Sequence, residues 1–447
     1  MASRWRCRPS VPEQVRVGIQ TWGSMGDIRP MLCLGHALQA AGHQVAISAC
    51  AVDLVDHAAT CRRLGLTYEA IPTEATVSIS DLRQQLAQRN VMTQLTVLLD
   101  RMFLPALPQM HASAARLARD SDVLIGHFLV HPLRLAAARA DLPHLGVAFW
   151  PGMVPAPGSP PWPLPQLGGL GNRALWRLTR GILNHVVLPR IRDDWRQAGL
   201  PAPRDVYADC WFSPLDNLLA CSPLLAPPDP AWRTFQVCGA FQRLPDERQE
   251  PIAPELEDFL ASGPAPVYLT LGSLQLLDPE GAMALFIGAV TRLGIRAIIN
   301  TTSAAHPPGS RQGGIFFCGP ANHRLLLPRC ALVVHHGGAG TSHAVAAAGR
   351  PAIVLAFIDE QMAWGGLLRA RGIALPPLRY RNCDAAMLAR CLHEALADAP
   401  MRERARALGS ALAQEDGAQR AVELIHAAVA RFHAAPVAQD AVTLRGL

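Results

Sequence analysis

The sequence predicts an α/β protein of two domains, each a parallel sheet with helices on its faces. Three observations carry that prediction. Short apolar runs alternate with helical stretches over residues 15–149, which is the pattern of βαβ units. A charged, proline-rich segment at 242–266 interrupts the chain, and the alternation restarts at 267. Each half also opens with an apolar strand ending in Gly-Ser, at Gly23-Ser24 and at Gly272-Ser273.

Taken in order, Val15–Ile19 reads as the first strand and runs into the turn Trp22-Gly23-Ser24-Met25-Gly26-Asp27. A helix is expected from Pro30 to Ala41, with proline near its first turn and Gly42 past its end. Gln44–Ala49, Leu66–Ala70, Val123–Gly126 and Leu145–Phe149 follow as strands. Residues 151–165 hold seven prolines, too many for a helix or a central strand, and read as a long loop. Trp162, Trp176, Trp195 and Trp211 follow, either as packing aromatics or as the lining of a pocket for a large apolar ligand. In the second half, strands are expected at Val267–Leu271, Arg296–Asn300, Ile315–Cys318, Leu332–His335 and Ala352–Phe357, with a helix near 280–293. The expected division is a first domain over 15–241, a linker over 242–266, a second domain with C-terminal helices over 267–435, and a tail over 436–447.

Composition narrows the function. The 447 residues are 50% hydrophobic and 17% charged, ample for large cores and unlike a disordered chain. The formal charge of +6 comes without a basic run or an aromatic-interleaved patch, so no nucleic-acid partner is expected. All 41 basic residues are arginine. With no lysine there is no Walker A loop and no pyridoxal Schiff base. The 11 scattered cysteines, with no C-x-x-C pair, read as reduced thiols of a cytoplasmic protein. Neither a signal peptide nor a membrane span is apparent.

The densest chemical signal is Leu332-Val333-Val334-His335-His336-Gly337-Gly338-Ala339-Gly340-Thr341. An apolar strand ends in two histidines, and a glycine turn then opens a helix. That layout presents backbone amides and a helix N-terminus to an anion, with glycine allowing close approach. The two imidazoles point to opposite faces if the strand reaches them, so one of them meets the ligand. Two alternatives compete: a metal site on His335, His336 and His343, or a dinucleotide site. The first lacks a nearby Cys, Asp or Glu, and the second lacks an early G-x-G-x-x-G.

At these residues the chain resembles a known family. The segment HHGGAGTSHAVAAAGRPAIVLAFIDEQMAWGGLL is similar to the nucleotide-sugar site of the family 1, UDP-dependent glycosyltransferases. The closer likeness is to the branch of sterol, glycolipid, carotenoid and glycopeptide-antibiotic glycosyltransferases. GSMGDIRPMLCLGHALQAAGHQV looks like the opening strand, turn and helix of that branch. The resemblance implies two facing Rossmann-like domains, the GT-B architecture, with the active site in the interdomain cleft. It implies diphosphate contacts for His336, Gly338, Gly340 and Thr341, and for Gly272-Ser273. It implies base contacts near His323, where Asn322 replaces the family's proline and Arg324-Leu325 the commoner Asp-Trp. It implies sugar contacts for Glu360-Gln361, with Glu in place of Asp. Ser24, Met25, Trp150 and Trp162 fall on the acceptor side.

Asp27 stands where this branch commonly holds an aspartate and many relatives a catalytic histidine. A carboxylate at the end of the first strand can accept the proton of an acceptor hydroxyl. Capping the following helix is the competing role. His127, after another strand of the same sheet, would orient Asp27, contact the acceptor or be structural. Asp120-Ser121-Asp122 reads as a turn rather than a metal-holding Asp-x-Asp pair. No metal and no cofactor are expected, because a helix dipole and His336 can stabilise the departing diphosphate. The resemblance therefore implies an inverting transfer of a hexose from a UDP-sugar to a hydroxyl of a small lipophilic acceptor. A lipid acceptor would bring loose contact with a membrane surface. A nucleotide-sugar epimerase and a silent auxiliary subunit are the alternatives.

Overall fold

The computed structural model describes residues 14–53, 55–72, 91–242, 244 and 251–434, without the side chains at 91–94, 273, 275 and 276. The expected tail, the first part of the expected linker and the Ser273 side chain lie outside the described residues. Among the described residues no helix is long and apolar enough to cross a membrane. Ten cysteines are described, and eight of them are buried.

The chain divides into two units. In the first, seven strands form one sheet: β1 (Arg16–Gly23), β2 (Gln44–Ala51), β3 (Thr67–Ala70), β4 (Val123–His127), β5 (His144–Ala148), β6 (Asp216–Leu219) and β7 (Phe235–Val237). Their order is β3-β2-β1-β4-β5-β6-β7, and every pairing is parallel. β1 is buried along nearly its whole length, polar Gln20 and Thr21 included, because both of its faces are covered. Its helices include α1 (Met25–Ala40), α2 (Leu107–Asp120), α3 (His131–Ala140) and the long α4 (Gly168–Gln197).

The second unit repeats the plan. Its strands are β8 (Val267–Thr270), β9 (Ala297–Asn300), β10 (Arg311–Gln312), β11 (Ile315–Cys318), β12 (Leu332–His335), β13 (Ala352–Ala356) and β14 (Leu378–Arg379). They lie in the order β10-β11-β9-β8-β12-β13-β14, parallel except for the β10–β11 pair. α5 (Pro279–Leu293), α6 (Ala339–Ala347) and α7 (Asp359–Ala370) pack among these strands. Val267, Leu269, Phe286, Phe317, Val334 and Leu355 anchor one shared core. Each such side chain contributes about 1.5–3 kcal/mol when fully buried.

In each sheet the chain reverses its winding beside the first strand, between β1 and β4 and between β8 and β12. The carboxyl ends of the strands at such a switch point are where doubly wound sheets bind ligands.

Three boundaries differ from expectation. α1 starts at Met25 rather than Pro30, because Ser24 and Asp27 form a capping box that outweighs the proline, now inside the helix. Residues 254–261 are helical and packed through Leu256, Phe259 and Leu260, so the second part of the expected linker is structure. The last helix, α8 (Gly417–Ala434), belongs to the first unit and not to the second. Arg431 reaches the buried Asp216 carboxylate at 2.5 Å, and His426 meets His43 at 2.6 Å.

Candidate functional site

Residues that sequence reasoning singled out gather at both switch points. In the first unit, β1 hands the chain to α1 through Gly23 and Ser24. Ser24 caps the helix, its hydroxyl accepting the Gly26 N–H at 3.3 Å. Asp27 completes the box: its Oδ2 accepts the Ser24 N–H at 2.9 Å and the Ser24 hydroxyl at 3.3 Å. Gly23, at φ +139°, leaves the space this needs, since a Cβ there would lie 2.2 Å from Asp27 Oδ2.

The other oxygen points elsewhere. Asp27 Oδ1 lies 3.8 Å from His127 Nε2 at the end of β4. His127 is buried, stacked on Phe149 with ring centroids 5.5 Å apart, and its Nδ1 has no hydrogen-bond partner. Burial pushes the His127 pKa down to about 3, so the ring is neutral. Burial pushes the Asp27 carboxyl up to about 6, against the opposing hydrogen bonds from Ser24. A carboxylate with one oxygen committed to structure and a pKa close to neutrality is equipped to take a proton.

Of the other residues expected on this side, Met25 is exposed, and its backbone N–H donates to Asp53 at 2.7 Å. Trp162 is also exposed. Neither Trp150 nor Trp162 lines a small apolar cavity of this unit whose walls include Trp22, Phe103, Leu129, His131, Ile191 and Trp211. Sequence reasoning missed most of that wall. Only Trp211 belonged to the tryptophan run read there, while Trp176 is buried with its indole N–H on the Ser159 carbonyl. The available signal was Trp22, two residues before Ser24 in the same turn.

In the second unit, β12 carries His335 and His336 to the edge of the sheet. His335 is fully buried, and its Nδ1 accepts the Gly337 N–H at 3.1 Å. His336 turns the other way, toward Gly272 and Gly338. A Cβ on Gly338 would stand 2.4 Å from His336 Nε2, and one on Gly272 would stand 3.0 Å from its Cε1. Burial first, then the neighbouring His323, lower the His336 pKa to about 4. α6 begins at once, and its N-cap Gly338 supplies no side-chain cap to the first amides. Gly340 and Thr341 lie in that first turn. Uncapped amides and the dipole of such a helix end favour an anion, and a neutral imidazole stands beside them.

The remaining predicted residues have identifiable structural partners. Gln361 Oε1 accepts the N–H groups of Phe357 at 2.8 Å and Ile358 at 3.3 Å, which caps α7. Glu360 precedes it in the same turn. His323 Nε2 lies 3.4 Å from the Tyr268 hydroxyl, and Asn322 caps the short helix there by accepting the Arg324 N–H at 3.1 Å. His343 donates to the Ala339 carbonyl at 2.8 Å and packs on Trp364. Among the described residues, no group of three metal-ligating side chains includes His335, His336 or His343.

Comparison with known proteins finds relatives in sequence and in fold. A family model, erythromycin biosynthesis protein CIII-like, C-terminal domain, matches residues 315–427. The O-mycaminosyltylonolide 6-deoxyallosyltransferase of Streptomyces fradiae is 30% identical over 438 residues, which cover 92% of this chain and 97% of that one. The crystal structure of the kitacinnamycin glycosyltransferase superposes with a TM-score of 0.71 at 18% identity, covering 94% of this chain and all of that one. A spinosyn rhamnosyltransferase solved with thymidine diphosphate gives 0.59 at 20% identity, covering 92% and 99%.

Proposed function

This chain belongs to the family 1 glycosyltransferases, in their antibiotic-biosynthesis branch, and we propose that it moves a hexose from a UDP-sugar to a hydroxyl of a small lipophilic acceptor, with inversion and without a metal. The observation that carries the mechanism is the split use of Asp27, Oδ2 on the cap and Oδ1 toward His127. Asp27 takes the acceptor proton as the hydroxyl oxygen attacks the anomeric carbon of the sugar. The bond from that carbon to the diphosphate breaks, and its electron pair leaves on a phosphate oxygen. His336, through a ring N–H, and the amides opening α6 stabilise that charge. His127 acts as a neutral neighbour that fixes the direction of Asp27.

The proline- and tryptophan-rich stretch that follows residue 150 supports the lipophilic acceptor. Glu360 and Gln361 would face the sugar hydroxyls, and His323 the base. A second donor reading, a thymidine diphosphate sugar, is favoured by the structural relative solved with that nucleotide. Purified protein assayed for nucleoside diphosphate release with UDP-glucose or its thymidine counterpart, with and without lipophilic alcohols and phenols, tests the proposal. Acceptor-dependent release, with a mass gain of one hexose on the acceptor, is expected. Release that ignores every acceptor would contradict it.

A further inference from the structure

Away from the carboxylate and the phosphate loop, three side chains on three helices of the first unit converge. His111 lies on α2, His131 opens α3, and Asp194 lies near the end of α4. Their ligating atoms all fall within 4.8 Å of one another. His131 Nε2 is 2.6 Å from Asp194 Oδ2, and His111 Nε2 is 3.4 Å from the same oxygen. A hydrogen bond accounts for His131 alone. His111 Nε2 is a buried nitrogen with no hydrogen-bond partner, although it lies close to a carboxylate. A buried, unsatisfied nitrogen requires a reason, and a bound ion supplies one.

We infer that His111, His131 and Asp194 form a binding site for a divalent transition metal of the zinc type, joining α2, α3 and α4 behind the acceptor-side cavity. Two imidazoles and one carboxylate suit zinc or cobalt, whereas calcium and magnesium favour all-oxygen sites. The His131 ring is set in place by Trp195, stacked at 5.3 Å, and by Phe103 at 5.8 Å. His111 is one-third exposed, which provides an entry path, and a water completes the coordination. On binding, the metal replaces the proton shared by His131 and Asp194, and that proton passes to solvent.

The site is structural and stands independently of the glycosyl-transfer reading. Its ligands were invisible along the sequence because each comes from a different helix, with no short spacing among them.

The test uses the full chain, untagged and stripped with a chelator, then titrated with Zn(II) or Co(II). One equivalent of zinc per chain is expected, with a higher melting temperature and visible absorption typical of tetrahedral Co(II). His111→Gln and Asp194→Asn should each weaken binding by more than ~100-fold, beyond the ~10–100-fold lost with a merely supporting partner. His185→Ala, exposed on α4 outside the cluster, should bind like the parent. Near-ultraviolet circular dichroism confirms that the partly exposed His111→Gln variant is folded. Substoichiometric binding, or stoichiometric binding that survives His111→Gln in a folded protein, overturns the assignment.

Discussion

In the proposed mechanism Asp27 serves structure and chemistry together. Its Oδ2 closes the capping box and its Oδ1 faces His127, so the two roles read from sequence are not exclusive. Asp27→Asn retains an oxygen for the cap but cannot take a proton. Turnover should fall by about 10²–10⁴-fold. Nucleoside diphosphate affinity, measured by calorimetry, should be unchanged. Turnover of the parent should rise with pH through about 6, the raised pKa of the carboxyl, and this limb should vanish in Asp27→Asn. The same shift has a stability sign. A carboxyl whose folded pKa lies above its unfolded value favours the folded state when protonated. Its contribution is therefore lost as pH rises from about 4 through about 6, and the melting temperature of Asp27→Asn should depend less on pH across that window. His336 offers the matching test in the second unit. Gly338→Ala drives a methyl group to 2.4 Å from its Nε2, so the ring must leave its seat. Nucleoside diphosphate binding should weaken about as much as in His336→Ala, by roughly tenfold for one lost charge-assisted hydrogen bond.

At the scale of elements, the strands around the two switch points were legible because each is a short apolar run bounded by glycine or proline. β6 and β7 escaped notice. Asp216-Asn217-Leu218-Leu219 is half polar, and its buried Asp216 is answered by Arg431 from α8 and by the Asn217 N–H. α4 was also missed. Thirty residues long, it contains Pro189 and has polar and apolar residues around its whole circumference, so no periodic stripe reveals it. Gln361 shows a second function hidden in a motif: read as a sugar contact, it also caps α7. Gln361→Ala should cost about 1 kcal/mol, seen as a lower denaturation midpoint, in addition to any effect on the donor.

For the whole molecule, the sequence order of the domains is not the order of their packing. The chain returns at residue 416 to complete the first unit, where α8 is held by Arg431 on Asp216 and His426 on His43. Neither contact could be read locally, since each joins residues far apart in the chain. Arg431→Ala leaves a buried carboxylate without its cation and should destabilise the protein by about 1–3 kcal/mol, less than a fully buried pair because Arg431 is half exposed. A chain stopped before 416 should melt lower still. The two candidate sites, each within its own unit, were legible because each sits in a glycine turn directly after a strand, where doubly wound sheets place their ligands. The measurement that bears most directly on the central claim is the anomeric configuration of the sugar on the isolated product, determined by NMR for the parent enzyme and for Asp27→Asn. Inversion relative to the donor, with product nearly absent from Asp27→Asn, is the predicted result. Retention of configuration, or full turnover without the Asp27 carboxylate, would contradict a single displacement with Asp27 as the base.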